Sequence, residues 1–247
     1  MKGGIGLATA FRTLTIFRVW GKESSSMTTS LYWFVPVGLV LGLMQWLLYR
    51  LLYPAVSAQL AAAVIVAFHV YVTRAFHLDG LADMADGFGG GWTKERILQI
   101  MKDSRIGAFG AISIGVLLIV KTAALSALIE QSEGICLIAI SSVSRFILVF
   151  LSVTQPYARK EGGTAGVLIN ESRLLHLVVS SVQIALIALL FFFDDIFLFL
   201  SCVGTAVAVA LFVAYKGRKR IDGITGDLLG AACELSEVFM LCIAAFR

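Results

Sequence analysis

The sequence predicts an all-α, polytopic membrane bundle of about seven spanning helices, and three observations carry that expectation. Hydrophobic residues make up 59% of the 247-residue chain and the mean hydropathy is +0.90, more apolar surface than a soluble core can bury. Apolar runs of about 20 residues recur, each long enough to cross roughly 30 Å of hydrocarbon as a helix. Polar or flexible residues punctuate those runs, and a helix satisfies its own backbone groups inside lipid. Together they argue for a single membrane domain, 1–247.

The chain opens on an amino-terminal segment, 1–30, in which Gly6 to Trp20 mixes Phe11, Leu14, Phe17 and Val19 with Arg12 and Arg18. That mixture suits a short interfacial helix. Its charge-broken apolar run, with no small-residue cleavage site after it, does not read as a cleavable signal. Spans are expected at 31–52, 56–76, 108–129, 134–154, 174–193, 196–215 and 227–246. Gly134 and Asp194-Asp195 mark two of the short turns. Between the second and third spans lies an aspartate- and glycine-rich loop, 77–107. Within it Thr93 can cap a short surface helix carrying Ile97, Leu98, Ile100 and Met101 on its apolar side.

Orientation follows from the cations. With seven spans, the amino terminus and the loops after spans two, four and six share one side, which holds 16 of the Lys and Arg residues, against Arg50 and Arg247 on the other. That asymmetry predicts a cytoplasmic amino terminus and a cytoplasmic aspartate-rich loop. The net charge of +4 therefore reflects topology and contact with the lipid bilayer, not nucleic acid. Cys136, Cys202, Cys233 and Cys242 fall in apolar segments without metal-ligand spacing and read as packing. The architecture is compatible with a homo-oligomer.

The stretch FHLDGLADMADGFGGGW, Phe76 to Trp92, gathers three aspartates and five glycines in a chain with 16 acidic residues. Asp79, Asp83 and Asp86 stand at i, i+4 and i+7, within roughly 60° of one another on a helical face. Carboxylates so close repel unless a cation neutralises them. Oxygen donors without nearby Cys or paired His favour a hard ion, so Mg²⁺ is expected, with Mn²⁺ as a substitute. A solvated acidic helix end is the competing explanation. Gly80, Gly87, Gly89, Gly90 and Gly91 permit unusual dihedrals and close approach of main-chain N–H groups to a phosphate. Lys102, Asp103 and Arg105, just before the third span, place two cations and a fourth carboxylate at the same mouth. Asp86 has a second candidate role, accepting the proton of an attacking hydroxyl.

Further along, Asp227, Glu234 and Glu237 lie at or near the start of the last span, with the two glutamates three residues apart on one face. Ionisable groups inside a span face a protein interior or wet cavity, so a polar vestibule open to the cytoplasm is expected there. Lys121 and Arg145, both within spans, are candidate partners, and a purely structural ion pair is the alternative. His69, His77 and His176 read as packing or interface residues.

Four blocks, HLDGLADMADGFGG, RILQIMKDSRIGAFG, PYAR (Pro156 to Arg159) and ITGDLLGAACELSEV (Ile224 to Val238), resemble the cobalamin synthase family, the adenosylcobinamide-GDP ribazoletransferases. Block order and chain length are also similar. The resemblance implies a magnesium-dependent inner-membrane enzyme of late vitamin B12 synthesis. Such an enzyme joins adenosylcobinamide-GDP to α-ribazole, or its 5′-phosphate, and releases GMP. It implies Asp79, Asp83 and Asp86 as metal ligands, with Lys102 and Asp103 in catalysis. Gly80, Gly87, Arg105, Asp227, Glu234 and Glu237 are then expected in substrate binding. The Asp79-Gly80-x-x-… pattern is also similar to the start of the CDP-alcohol phosphotransferase motif, but that motif has Arg where this chain has Asp83, and its later spacing is not reproduced. A lipid enzyme of that type is therefore the nearest rival. A transporter fits less well, because the carboxylates gather near one membrane face, without paired broken spans.

Overall fold

The computed structural model describes residues 3–19, 26–53, 55–159 and 163–246. Lys2, Lys22, Lys160 and Arg247 from the charge count, and Trp20, lie outside them. The regular elements of the described chain are all helices. It runs α1 (Gly3–Leu14), a 3-10 turn (Met27–Trp33), α2 (Phe34–Leu52), α3 (Ala58–Val72), α4 (Phe76–Gly90) and α5 (Lys94–Ile100). It continues with α6 (Ala108–Glu130), α7 (Cys136–Thr154), α8 (Thr164–Asn170), α9 (Leu174–Phe191), α10 (Ile196–Ile221) and α11 (Gly226–Ala245). Six helical stretches are long and apolar enough to cross a membrane, and α3 with α4, bent by 88°, forms a broken seventh candidate.

Helix α7 is the axis of the bundle and is almost wholly buried, including Ser141, Ser142, Ser144 and Arg145. Helix α2 crosses it through Gly38 and Gly42; a Cβ on Gly42 would lie 2.6 Å from Ile138 Cα, the close approach that small residues permit between spanning helices. Helix α11 is the second buried element, packed among α4, α6, α7 and α10. The outer helices expose Ile112, Val116, Ile119, Leu189, Leu190, Phe197, Leu200 and Phe212. Large apolar surface of this kind is stable against hydrocarbon, not water.

Helix ends follow local chemistry. Ser57, Thr93, Asp195 and Thr225 accept hydrogen bonds from the first-turn amides of α3, α5, α10 and α11, and each satisfies an otherwise unpaired donor. The Asp194-Asp195 turn is thus a cap, and the helix predicted after Thr93 forms, with Ile97 and Met101 buried.

Two departures matter for the site. The second span, expected over 56–76, ends at Val72, because Arg74 and Ala75 both adopt left-handed backbone (φ 57° and 53°). Fifteen helical residues cover only about 22 Å, so α3 is short for a span, and we read α4 as lying across the cation-rich end of the bundle. The corner is held by α1: Arg74 donates to the carbonyls of Arg12 (2.8 Å) and Thr13 (3.3 Å), and Ile16 N–H donates to Val72 O (2.8 Å). The amino-terminal helix therefore ends at Leu14 and docks on protein, with Ala8, Ala10 and Leu14 buried. The glycine-rich stretch is also helical rather than looped. Among the described residues no glycine has positive φ.

Candidate active site

Helix α4 carries Asp79 and Asp83 to the first turn of α11, and two glycines bring the helices together. A Cβ on Gly230 would lie 3.1 Å from the His77 carbonyl oxygen, and one on Gly80 would overlap the backbone of Asp227. Gly80 is therefore a contact between helices. Gly87 is another. It is buried inside α4, where its Cβ would meet Met101 at 2.8 Å, so it seats α5.

The crossing joins Asp227 to the aspartate face. Burial raises the Asp83 carboxyl to about 7, and the carboxylates of Asp227, then Asp79, add to that rise, with Asp86 contributing least. Asp227 accepts from Arg159 (2.8 Å) and Thr225 (3.1 Å), both at Oδ2. Arg159 reaches it because the PYAR and ITGD blocks pair as a short parallel bridge. Ala158 N–H donates to Ile224 O and Ile224 N–H to Pro156 O, each at 2.9 Å.

Asp79 and Asp83 line a cleft of about 330 Å³ together with Lys102, Asp103, Ser104 and Arg105. Lys102, Asp103 and Arg105 thus lie at the predicted mouth. Asp103 does not orient Lys102, however. Arg105 takes both of its oxygens (3.0 and 2.6 Å), and those bonds hold the Asp103 carboxyl down to about 2. The pair also rims a second cleft of about 660 Å³, with Asp86, Arg96 and Gln99. Segment 102–106 is the partition between the two.

Asp86 turns away from the other aspartates. Its Oδ2 accepts from Gly107 N–H (2.7 Å) and its Oδ1 from Gly110 N–H (2.8 Å), so it caps the start of α6 from a neighbouring helix. Basic residues attributed to topology also fasten this end of the bundle. Arg220 donates to the carbonyls of Phe88 (3.3 Å) and Gly91 (2.6 Å), and Lys94 pairs with Asp222 at 3.0 Å.

Below the cleft lies a buried ionic cluster. Lys121 donates to Glu234 (2.9 Å) and Glu237 (2.5 Å), and Glu237 also accepts from Arg145 and Ser144. The predicted partners are therefore correct. Glu234 and Glu237 are each only 2% exposed, so the expected open vestibule is not formed around them: Lys121 and Arg145 pair with them inside the bundle. His69 stands 3.4 Å from Glu237. With the two glutamates it makes the one trio of His, Cys, Asp or Glu donors converging within 4.8 Å among the described residues, and Lys121 already supplies positive charge there. His77 is buried nearby. His176 instead accepts from Arg173 N–H at the start of α9 and packs on Tyr32.

Arg159 escaped the sequence reading as a site residue. Its only signal was the PYAR block, too short to assign a role.

A sequence profile described as cobalamin-5-phosphate synthase matches residues 6–245. A protein of Chlorobium phaeovibrioides named adenosylcobinamide-GDP ribazoletransferase is 40% identical over 235 residues, covering 95% of this chain and 94% of its own. Proteins of the same name from Chlorobaculum tepidum (41% over 245 residues, 97% and 94%) and Syntrophobacter fumaroxidans (40% over 242 residues, 96% and 96%) are similarly alike. No solved structure matches.

Proposed function

The chain belongs to the cobalamin-5-phosphate synthase family, and from that premise, a multi-pass membrane transferase of cobalamin biosynthesis, we infer its reaction and its site. The donor is adenosylcobinamide-GDP and the acceptor is α-ribazole or its 5′-phosphate. A ribose hydroxyl of the acceptor attacks the phosphorus that bears cobinamide and gives up its proton to solvent. The bond from that phosphorus to the bridging oxygen breaks, and GMP leaves with that oxygen and the electron pair. The product is adenosylcobalamin or its 5′-phosphate.

The observation that carries this reading is the meeting of Asp79 and Asp83 with Asp227 beside a cleft rimmed by Lys102. The donor set fits Mg²⁺, or Mn²⁺ in its place, because it consists of carboxylate oxygens at a cleft lined by no cysteine or histidine. Asp79 and Asp83 would hold the ion, with Asp227 the nearest further carboxylate. Asp86, both of whose oxygens cap α6, would stand outside that set. When bound, the ion neutralises phosphate oxygens and makes GMP a better leaving group. Lys102 binds the diphosphate from the rim, and the Asp103–Arg105 pair fixes the wall beside it. The cation-rich end faces the cytoplasm, in the inner membrane, where the nucleotide substrate is available.

Purified full-length protein in detergent tests the assignment. GMP should be released from adenosylcobinamide-GDP only when α-ribazole, or its 5′-phosphate, and Mg²⁺ are both present. Release without acceptor, or uptake of corrinoid into proteoliposomes without bond cleavage, overturns it.

A further inference from the structure

We infer that Arg159 is a substrate-binding residue whose guanidinium grips the diphosphate of the donor, held in place for that task by Asp227; the inference rests on the donor assigned above. A nucleoside diphosphate brings negative charge to a mouth lined by Asp79 and Asp83, with Asp227 acting on Asp83 beside it, so cationic side chains must meet it there. Several nearby cations are committed to fastening the fold. Arg105 is engaged through both nitrogens of its fork by Asp103, Arg220 by two backbone carbonyls, Lys94 by Asp222, and Arg218 by Gln155 and the Thr154 carbonyl.

Arg159 differs from them in place and in state. It bonds a member of the carboxylate group directly, Nη2 to Asp227 Oδ2 at 2.8 Å, and its charge acts on Asp83 as well. Its Nε is buried and has no hydrogen-bond partner among the described residues. Nε and Nη2 form one edge of the guanidinium, spaced to meet two oxygens of a phosphate or carboxylate. Here that edge is half used. An enclosed guanidinium donor without an acceptor is costly, and a phosphate oxygen would complete the edge. The backbone supporting it is fixed by the Ala158–Ile224–Pro156 bridge, so the side chain projects from a rigid element. Both side-chain bonds accepted by Asp227 use Oδ2, which leaves Oδ1 without a donor among the described residues. Asp227 can thus position Arg159 and still offer an oxygen to a cation.

The test is isothermal titration of GDP, the donor's nucleotide without the corrinoid, into detergent-solubilised full-length protein, once with Mg²⁺ and once with EDTA. Arg159→Gln should weaken GDP binding by about tenfold or more in both conditions. Arg159→Lys, which keeps charge but not the fork, should lose about threefold or more. Asp79→Asn should weaken GDP binding only where Mg²⁺ is present. Melting temperature and size-exclusion profile check that each variant folds, and Arg159→Lys decides the matter if the Gln variant does not. GDP affinity within twofold of the unmodified chain for the folded Arg159 variants overturns the role of Arg159 and leaves the donor assignment standing. Failure of the unmodified chain to bind GDP overturns both.

Discussion

Gly80 and Asp227 are in backbone contact: a Cβ placed on Gly80 would lie 2.7 Å from the carbonyl oxygen of Asp227 and 3.0 Å from its Cα. The neighbour is main chain, so it cannot rotate away. Gly80→Ala should push α4 off α11, cost about 1–3 kcal/mol in stability, and separate Asp83 from Asp227, with turnover falling by about tenfold or more. Melting temperature and GMP release measure the two effects. An Ala variant with unchanged melting and rate would show that the crossing does not set the site.

Asp83→Asn should abolish most turnover without harming the fold. The Asp83 carboxyl is raised to about 7 from an ordinary value of 3.8, so between those values the folded chain holds a proton that the unfolded chain has released. Folding stability contributed by this group is therefore lost as pH rises through that window. In EDTA at pH 8 the Asn variant should melt at or above the temperature of the unmodified chain, and Mg²⁺ affinity of the unmodified chain should rise from pH 6 to pH 8 as the proton leaves. Lower stability of the Asn variant at pH 8, or Mg²⁺ affinity independent of pH, would remove Asp83 from the cation site.

Asp86 can be separated from its neighbours by the same reasoning. Its two oxygens accept from Gly107 and Gly110, so Asp86→Asn, which keeps one acceptor, should retain turnover within several-fold and an unchanged Mg²⁺ requirement. Asp86→Ala, which keeps none, should cost about 1 kcal/mol of stability. Loss of activity in Asn equal to that of Asp83→Asn would instead assign Asp86 to metal binding or proton transfer.

The ionic cluster around Glu237 predicts a strong non-additivity. Glu237→Gln leaves Lys121 and Arg145 buried with one carboxylate fewer and should cost about 3–5 kcal/mol, seen as loss of folded protein on solubilisation. Lys121→Met combined with Glu234→Gln removes one charge of each sign and keeps the Arg145–Glu237 pair. The double variant should be more stable than Lys121→Met alone. Equal destabilisation would mean that the charges are not coupled.

Much of this molecule is legible in one dimension. Hydropathy located the spans, because a bilayer demands about 20 apolar residues whatever their neighbours. Thr93 marked a helix start, since capping acts within four residues, and Asp194-Asp195 marked a turn. Lys121 and Arg145 were identifiable as partners of Glu234 and Glu237 because a charge within a span must find its opposite. Less visible were the break at Arg74 and Ala75, which follows from docking against α1, and the helical run of Gly87, Gly89 and Gly90. Those glycines suggested close approach of main-chain N–H groups to a phosphate, whereas Met101, Phe109 and Ile100 stand beside them in turn.

The sequence by itself determined a helical membrane bundle, and the helical period that puts Asp79 and Asp83 on one face. Tertiary structure alone decided that Asp227 joins them, that Arg159 stands against Asp227, and that Asp86 caps α6. The reason is distance along the chain. Periodicity fixes the relation of residues within one helix, but residues on different helices meet only where packing lets the backbones approach, here at Gly80 and Gly230.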